Sequence, residues 1–91
     1  MNNLNNQILS GKQFKQVETV KPNEEKPIIL EADGKPIIGY IYKVVNPKKK
    51  VIIRQAFPTA SDLNLKKWTV TFYNFDTSDE TVEIYPIFWN A

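Results

Sequence analysis

The chain reads as an all-β domain, a sandwich of six to seven short antiparallel strands. Three observations predict this. Apolar and β-branched residues alternate with polar ones at period 2 over short segments. Clusters of Pro, Gly, Asn, Asp and Ser punctuate those segments about every 8–12 residues, the spacing of a sandwich or small barrel. Aromatic residues make up 12% of the chain, a good share for a β domain.

The 91 residues suffice for one domain with a small core. A polar segment, 1–12, precedes the first strand pattern and is expected to be a flexible arm, leaving 13–91 as the β domain. Leu4 and Ile8 stand four apart before Ser10-Gly11, a single helical turn that would not hold in water by itself. If the arm orders, it does so against a neighbouring subunit, with Leu4, Ile8 and Leu9 as anchors.

QFKQVETV, residues 13–20, is a weak edge strand, because Phe14, Val17 and Val20 recur every third residue. KPNEEKP is a loop framed by Pro22 and Pro27. Ile28–Ala32 is a strand, and Asp33-Gly34 tolerates positive φ at both positions, the signature of a two-residue hairpin. That hairpin would set Leu30 opposite Ile37 and Ile28 opposite Gly39. The strand 37–45 places Ile38, Tyr40, Tyr42 and Val44 on one face, with Gly39 marking a bulge or a close backbone approach. Asn46-Pro47 turns the chain into 51–57, where Val51, Ile53 and Phe57 share a side.

Residues 65–89 form the dominant unit, read as an antiparallel hairpin around DTSD. Trp68, Val70 and Phe72 share a face of its first half, and Val82, Ile84 and Phe88 share a face of its second. Parity then demands an odd-length loop. Thr77–Asp79 would put Phe72 opposite Ile84, and Phe75–Asp79 would put it opposite Val82. Tyr85, Ile87 and Trp89 fall on the outer face, where three large side chains ask for cover from another molecule. The architecture favoured is an immunoglobulin-like sandwich, with a small oligonucleotide-binding barrel as the alternative.

Chemistry is sparse. The chain has no histidine and no cysteine, which removes the commonest general base, thiolate metal sites and disulfide staples. Its three glycines are isolated, so no phosphate-cradling loop is present. Asp76, Asp79 and Glu80 cluster at a turn without the glycine or ligand spacing of a calcium loop. No enzyme, metal or cofactor is expected, nor any membrane-spanning run. A cytoplasmic location, or an assembly made in the cytoplasm, is expected.

Net charge is +2, unevenly spread. Residues 1–33 hold four lysines against five acids; residues 34–61 hold five lysines, Arg54 and no acid; residues 62–91 hold two lysines against five acids. The middle third suggests a second function class. Lys43, Lys48, Lys49, Lys50 and Arg54 would form a basic hairpin beside Tyr40 and Tyr42, a pattern that could draw phosphates and stack bases. With one arginine among twelve cations, bidentate phosphate recognition is weakly provided for.

The polar arm MNNLNNQILSGK, the segment VTFYNFDTSDETVEIY and the lack of His and Cys together resemble small virion proteins of tailed bacteriophages, such as capsid decoration proteins and head or tail assembly subunits. The lysine- and asparagine-rich composition fits an AT-rich genome. The resemblance implies a structural subunit that binds other virion proteins in many copies, and so a location in the virion. The chain lacks the Cys–Trp–Cys core of antibody domains, which places any kinship among disulfide-free sandwiches.

Overall fold

The computed structural model describes residues 8–46, 50–59 and 65–90. Within them the chain forms β1 (Ile8–Ser10), a 3-10 turn (Lys12–Phe14), β2 (Gln16–Val20), β3 (Glu25–Glu31), β4 (Ile37–Val44), β5 (Val51–Pro58), β6 (Lys67–Asn74) and β7 (Glu80–Trp89). All pairings are antiparallel and fall into two sheets. In sheet A, β7 lies between β4 on one edge and β1 and β2, placed end to end, on the other. In sheet B, β6 lies between β3 and β5. The sheets pack face to face as a sandwich and do not join into a closed barrel among the described residues.

The faces agree with the alternation in the sequence. Val70 and Phe72 of β6 and Val82, Ile84 and Phe88 of β7 are buried, with Val20, Ile28, Leu30, Ile37 and Val51 completing the core. The pairing differs. Strands β6 and β7, expected as a hairpin, lie in different sheets, so Phe72 pairs across its ladders with Lys26 and Ile53. The 75–79 connection is an arch over the end of the sandwich. Likewise Asp33-Gly34 turns with the expected positive φ, and Lys35 N–H bonds Ala32 C=O at 2.9 Å. Yet the chain leaves this turn into the opposite sheet, and β3 pairs with β6 instead of β4. The proposed 37–57 hairpin fails in the same way, because β4 belongs to sheet A and β5 to sheet B.

Smaller corrections follow from local geometry. Residues 8–12, read as part of an arm, join the fold through β1 and the 3-10 turn; residues 1–7 lie outside the described set. Phe14 sits in that turn, with its ring edge-on to Phe88 at 5.9 Å, which explains the three-residue spacing that fitted a strand poorly. Strand β3 starts at Glu25, inside the expected loop, and tolerates Pro27 because it is an edge. A bulge between Ile53 and Gln55 swaps the faces of β5, so Ala56 packs on the core and Phe57 points out. The expected irregularity at Gly39 is present as a register shift between Ile37 and Gly39.

Pro86 accounts for the break between β1 and β2. Val45 N–H bonds Thr81 C=O at 3.0 Å. In an antiparallel ladder this phase turns the backbone groups of odd β7 residues toward β4 and those of even residues toward β1 and β2. An N–H at position 86 would face that second edge, and proline has none. The edge is interrupted there by residues 11–15. Gly11 N–H takes the Pro86 carbonyl at 2.7 Å, and a Cβ on Gly11 would lie only 2.8 Å from Pro86 Cγ, so the close approach requires glycine.

One end of the sandwich is closed by polar groups. Asn74, fully buried, donates from Nδ2 to Val20 C=O (2.8 Å) and Ser78 C=O (2.9 Å) and accepts from Asp76 N–H (2.7 Å). Asn46 Nδ2 donates to the buried Glu80 at 3.2 Å, joining the β4–β5 connection to the arch.

Candidate interaction surface

Strand β7 is central in sheet A, and its residues alternate strictly between buried and half-buried. The half-buried set, Thr81, Glu83, Tyr85, Ile87 and Trp89, faces away from sheet B. Neighbouring strands extend this outer face. Ile8 pairs with Trp89, Ser10 and Gly39 with Ile87, Ile41 with Tyr85, and Val17 and Lys43 with Glu83. Gly39 bares the sheet beside Ile87, whose Cδ1 lies 3.8 Å from where a Cβ of residue 39 would stand. The result is an apolar strip of Ile8, Trp89, Ile87, Tyr85 and Ile41. It ends in a charged border at Glu83, which pairs with Lys15 at 3.4 Å.

The outer face of sheet B is different. Its central strand presents Lys67, Thr69, Thr71 and Tyr73. Ion pairs lace it: Lys67 to Glu31 at 3.3 Å and Arg54 to Glu25 at 3.0 Å, with the Arg54 guanidinium 5.7 Å above the Tyr73 ring. Ile29, Ile52 and Phe57 stand singly among these polar groups, which is ordinary for a surface.

The residues singled out as protein contacts therefore divide. Tyr85, Ile87, Trp89 and Ile8 come together on one face. Leu9 does not. It pairs with Phe88, packs on the core, and lines a cavity of about 240 Å3 with Phe14 and Ala32. Leu4 lies outside the described residues. Ile41, which joins this outer face, was absent from the expected set because its strand was assigned to the wrong partner; its odd parity with Gly39 and Lys43 was the available signal.

The basic cluster is dispersed. Lys43 lies on the outer face of sheet A, whereas Tyr40 and Tyr42 face inward, Tyr42 edge-on to Phe72 at 5.7 Å. Lys50 is 3.9 Å from Asp76, and Arg54 is held by Glu25 on sheet B. Lys48 and Lys49 lie outside the described residues. Lys43 and Arg54 share no face with Tyr40 and Tyr42.

The acidic turn has a structural use. A hydrogen bond between the Asp76 and Glu80 side chains, and a second from Thr77 N–H at 2.7 Å, hold the Asp76 carboxyl below the usual carboxylate range, with Lys50 adding to the effect against partial desolvation. Among the described residues no group of three or more His, Cys, Asp and Glu side chains could hold a metal ion.

No protein-family model matches this chain, and comparison with curated proteins and with solved structures finds no significant similarity.

Proposed function

We propose that this chain is a non-catalytic structural subunit that docks on other protein subunits of a multi-copy assembly through the outer face of sheet A. The observation that carries the reading is the contrast between the two central strands. β6 turns lysine, threonine and tyrosine outward, whereas β7 turns out Tyr85, Ile87 and Trp89, flanked by Ile8 and Ile41. Contiguous apolar and aromatic surface of this kind, rimmed by charge, is what protein interfaces are built from. The resemblance of the sequence texture to small virion proteins of tailed bacteriophages supports capsid or other virion proteins as the partner class and the virion as the location.

Co-expression with the products of the neighbouring genes, followed by gel filtration with light scattering, tests this. The chain is expected to elute with a multi-copy partner. Ile87→Thr, which keeps strand propensity, and Trp89→Ala are each expected to weaken that association about thirtyfold or more while leaving the circular dichroism unchanged. A chain that elutes alone beside every such product would overturn the proposal, and so would association indifferent to both substitutions.

A further inference from the structure

The sandwich has edge strands β2 (with β1) and β4 in sheet A and β3 and β5 in sheet B, and three of these edges are blunted. β2 and β3 close on each other. Gln16 Nε2 donates to Ile29 C=O at 2.6 Å, and Lys26 Nζ donates to Thr19 C=O at 3.0 Å while pairing with Glu18. β5 is bulged at Ile53–Gln55, carries Arg54 and ends in Pro58. Charge, bulges and proline are the usual protections of an edge.

β4 is the exception. Its start is covered, where Leu65 C=O accepts from Ile37 N–H at 2.8 Å. From Gly39 to Val44, however, no described strand pairs with its outer side, its ladder to β7 is regular, and it holds no proline and one charge, Lys43. Ile38, Ile41 and Tyr42, and Val45 just beyond, are all exposed, between 41% and 47%. The Val45–Thr81 hydrogen bond sets the phase of this strand. Residues 41, 43 and 45 spend their backbone groups on β7, so Tyr40, Tyr42 and Val44 turn N–H and C=O to the side with which no described strand pairs.

We propose that this edge is the contact between two copies of the chain, paired antiparallel through β4 about a two-fold axis at Ile41. Self-complementarity selects a second copy as occupant. Two-fold pairing about Ile41 sets each Tyr40 opposite Tyr42 of the second copy, and both residues turn their backbone groups to the contact. It sets Lys43 opposite Gly39, so no like charges meet and the lysine stem has room. The parity is preserved. Tyr40 and Tyr42, already 6.3 Å apart, meet their counterparts on the inner face, where they stop the half-open side of both sandwiches. Ile41 meets its counterpart on the outer face. The contact is isologous and closes at two, with sheet A continued across both copies. It goes beyond the docking proposed above and does not depend on it. A monomer that still bound partners through Trp89 would overturn this inference and leave that one standing.

Two variants of the full chain test it by sedimentation and cross-linking. The wild type is expected to sediment as a dimer that dissociates on dilution. Ile41→Lys places like charges opposite each other at the axis on an exposed edge and is expected to give a folded monomer. Ile41→Cys introduces the only thiol in the chain. Because position 41 forms a non-hydrogen-bonded pair, its Cα atoms would lie about 4.5 Å apart, within disulfide reach. Oxidation is expected to convert this variant to a covalent dimer at least about tenfold faster than Val17→Cys, a control on the same outer face that is more exposed than Ile41. A strictly monomeric wild type would overturn the proposal. A dimer unmoved by Ile41→Lys, or cross-linking no faster than the control, would also overturn it.

Discussion

Replacing Phe72 by alanine is expected to lower the folding free energy by about 3–5 kcal/mol, a large part of what a domain of this size holds. Phe72 is fully buried at the middle of the central strand of sheet B, between Lys26 and Ile53 in its ladders. Its ring also reaches Tyr42 of the other sheet, edge-on at 5.7 Å. It therefore joins the two layers as well as filling the core. Truncation forfeits the transfer free energy of the ring and leaves a gap that two sheets, each held by its own ladders, cannot close. Denaturant unfolding followed by circular dichroism measures the effect. Val17→Ala, on the exposed outer face of sheet A, should stay within about 0.5 kcal/mol of the wild type. Equal costs for the two would mean that Phe72 does not occupy the interior.

Asn74→Leu is expected to cost about 2–4 kcal/mol despite its similar volume. The side chain satisfies Val20 C=O and Ser78 C=O as a donor and Asp76 N–H as an acceptor. Leucine would leave these backbone groups without their partner in a buried corner, and each such loss costs about 1–3 kcal/mol, moderated where water can enter. The damage should be local in origin. Hydrogen exchange is expected to quicken first at residues 74–80 and at Val20, which the arch ties to β2. Asn74→Asp should be worse at neutral pH, because it turns the donor into an acceptor facing two carbonyls. A thermally neutral Asn74→Leu would remove the arch from the account of stability.

The faces of the strands, apart from the bulged β5, were legible in the sequence and the pairings were not, for a physical reason. Period-2 alternation reports which side of a sheet a residue occupies, and it placed Trp68, Val70, Phe72, Val82, Ile84 and Phe88 inward and Tyr85, Ile87 and Trp89 outward. It carries no information about the neighbouring strand. Asp33-Gly34 has the same positive φ values in an arch as in a hairpin, so local turn chemistry could not distinguish them. The distinguishing signal lay at the strand ends. Asn74 and Glu80 both continue the inward parity of their strands and are both buried. A hairpin would carry such polar residues out to solvent, whereas an arch over the core must bury them. Pro86 was a second signal. A proline inside a central strand is admissible only where one ladder is broken, and β1 and β2 part at that point. The outer apolar face was legible in β7 itself, but its completion by Ile8 and Ile41 depended on pairings that alternation does not encode. Lys43, Lys50 and Arg54 are neighbours in sequence only, because the chain changes sheet between Lys43 and Lys50.

The central claim, that the outer face of sheet A is covered when this chain acts, is tested most directly through Trp89. Trp68 lies on the opposite, inner side, and its Nε1 is buried with no acceptor among the described residues, so Trp68→Phe removes the competing fluorophore without breaking a described hydrogen bond. Acrylamide quenching of Trp89 emission should then be compared in the free chain and in the partner complex. The account predicts quenching that falls several-fold on assembly, with a blue shift as the half-exposed indole leaves water. A complex that forms with Trp89 as quenchable as before would contradict it.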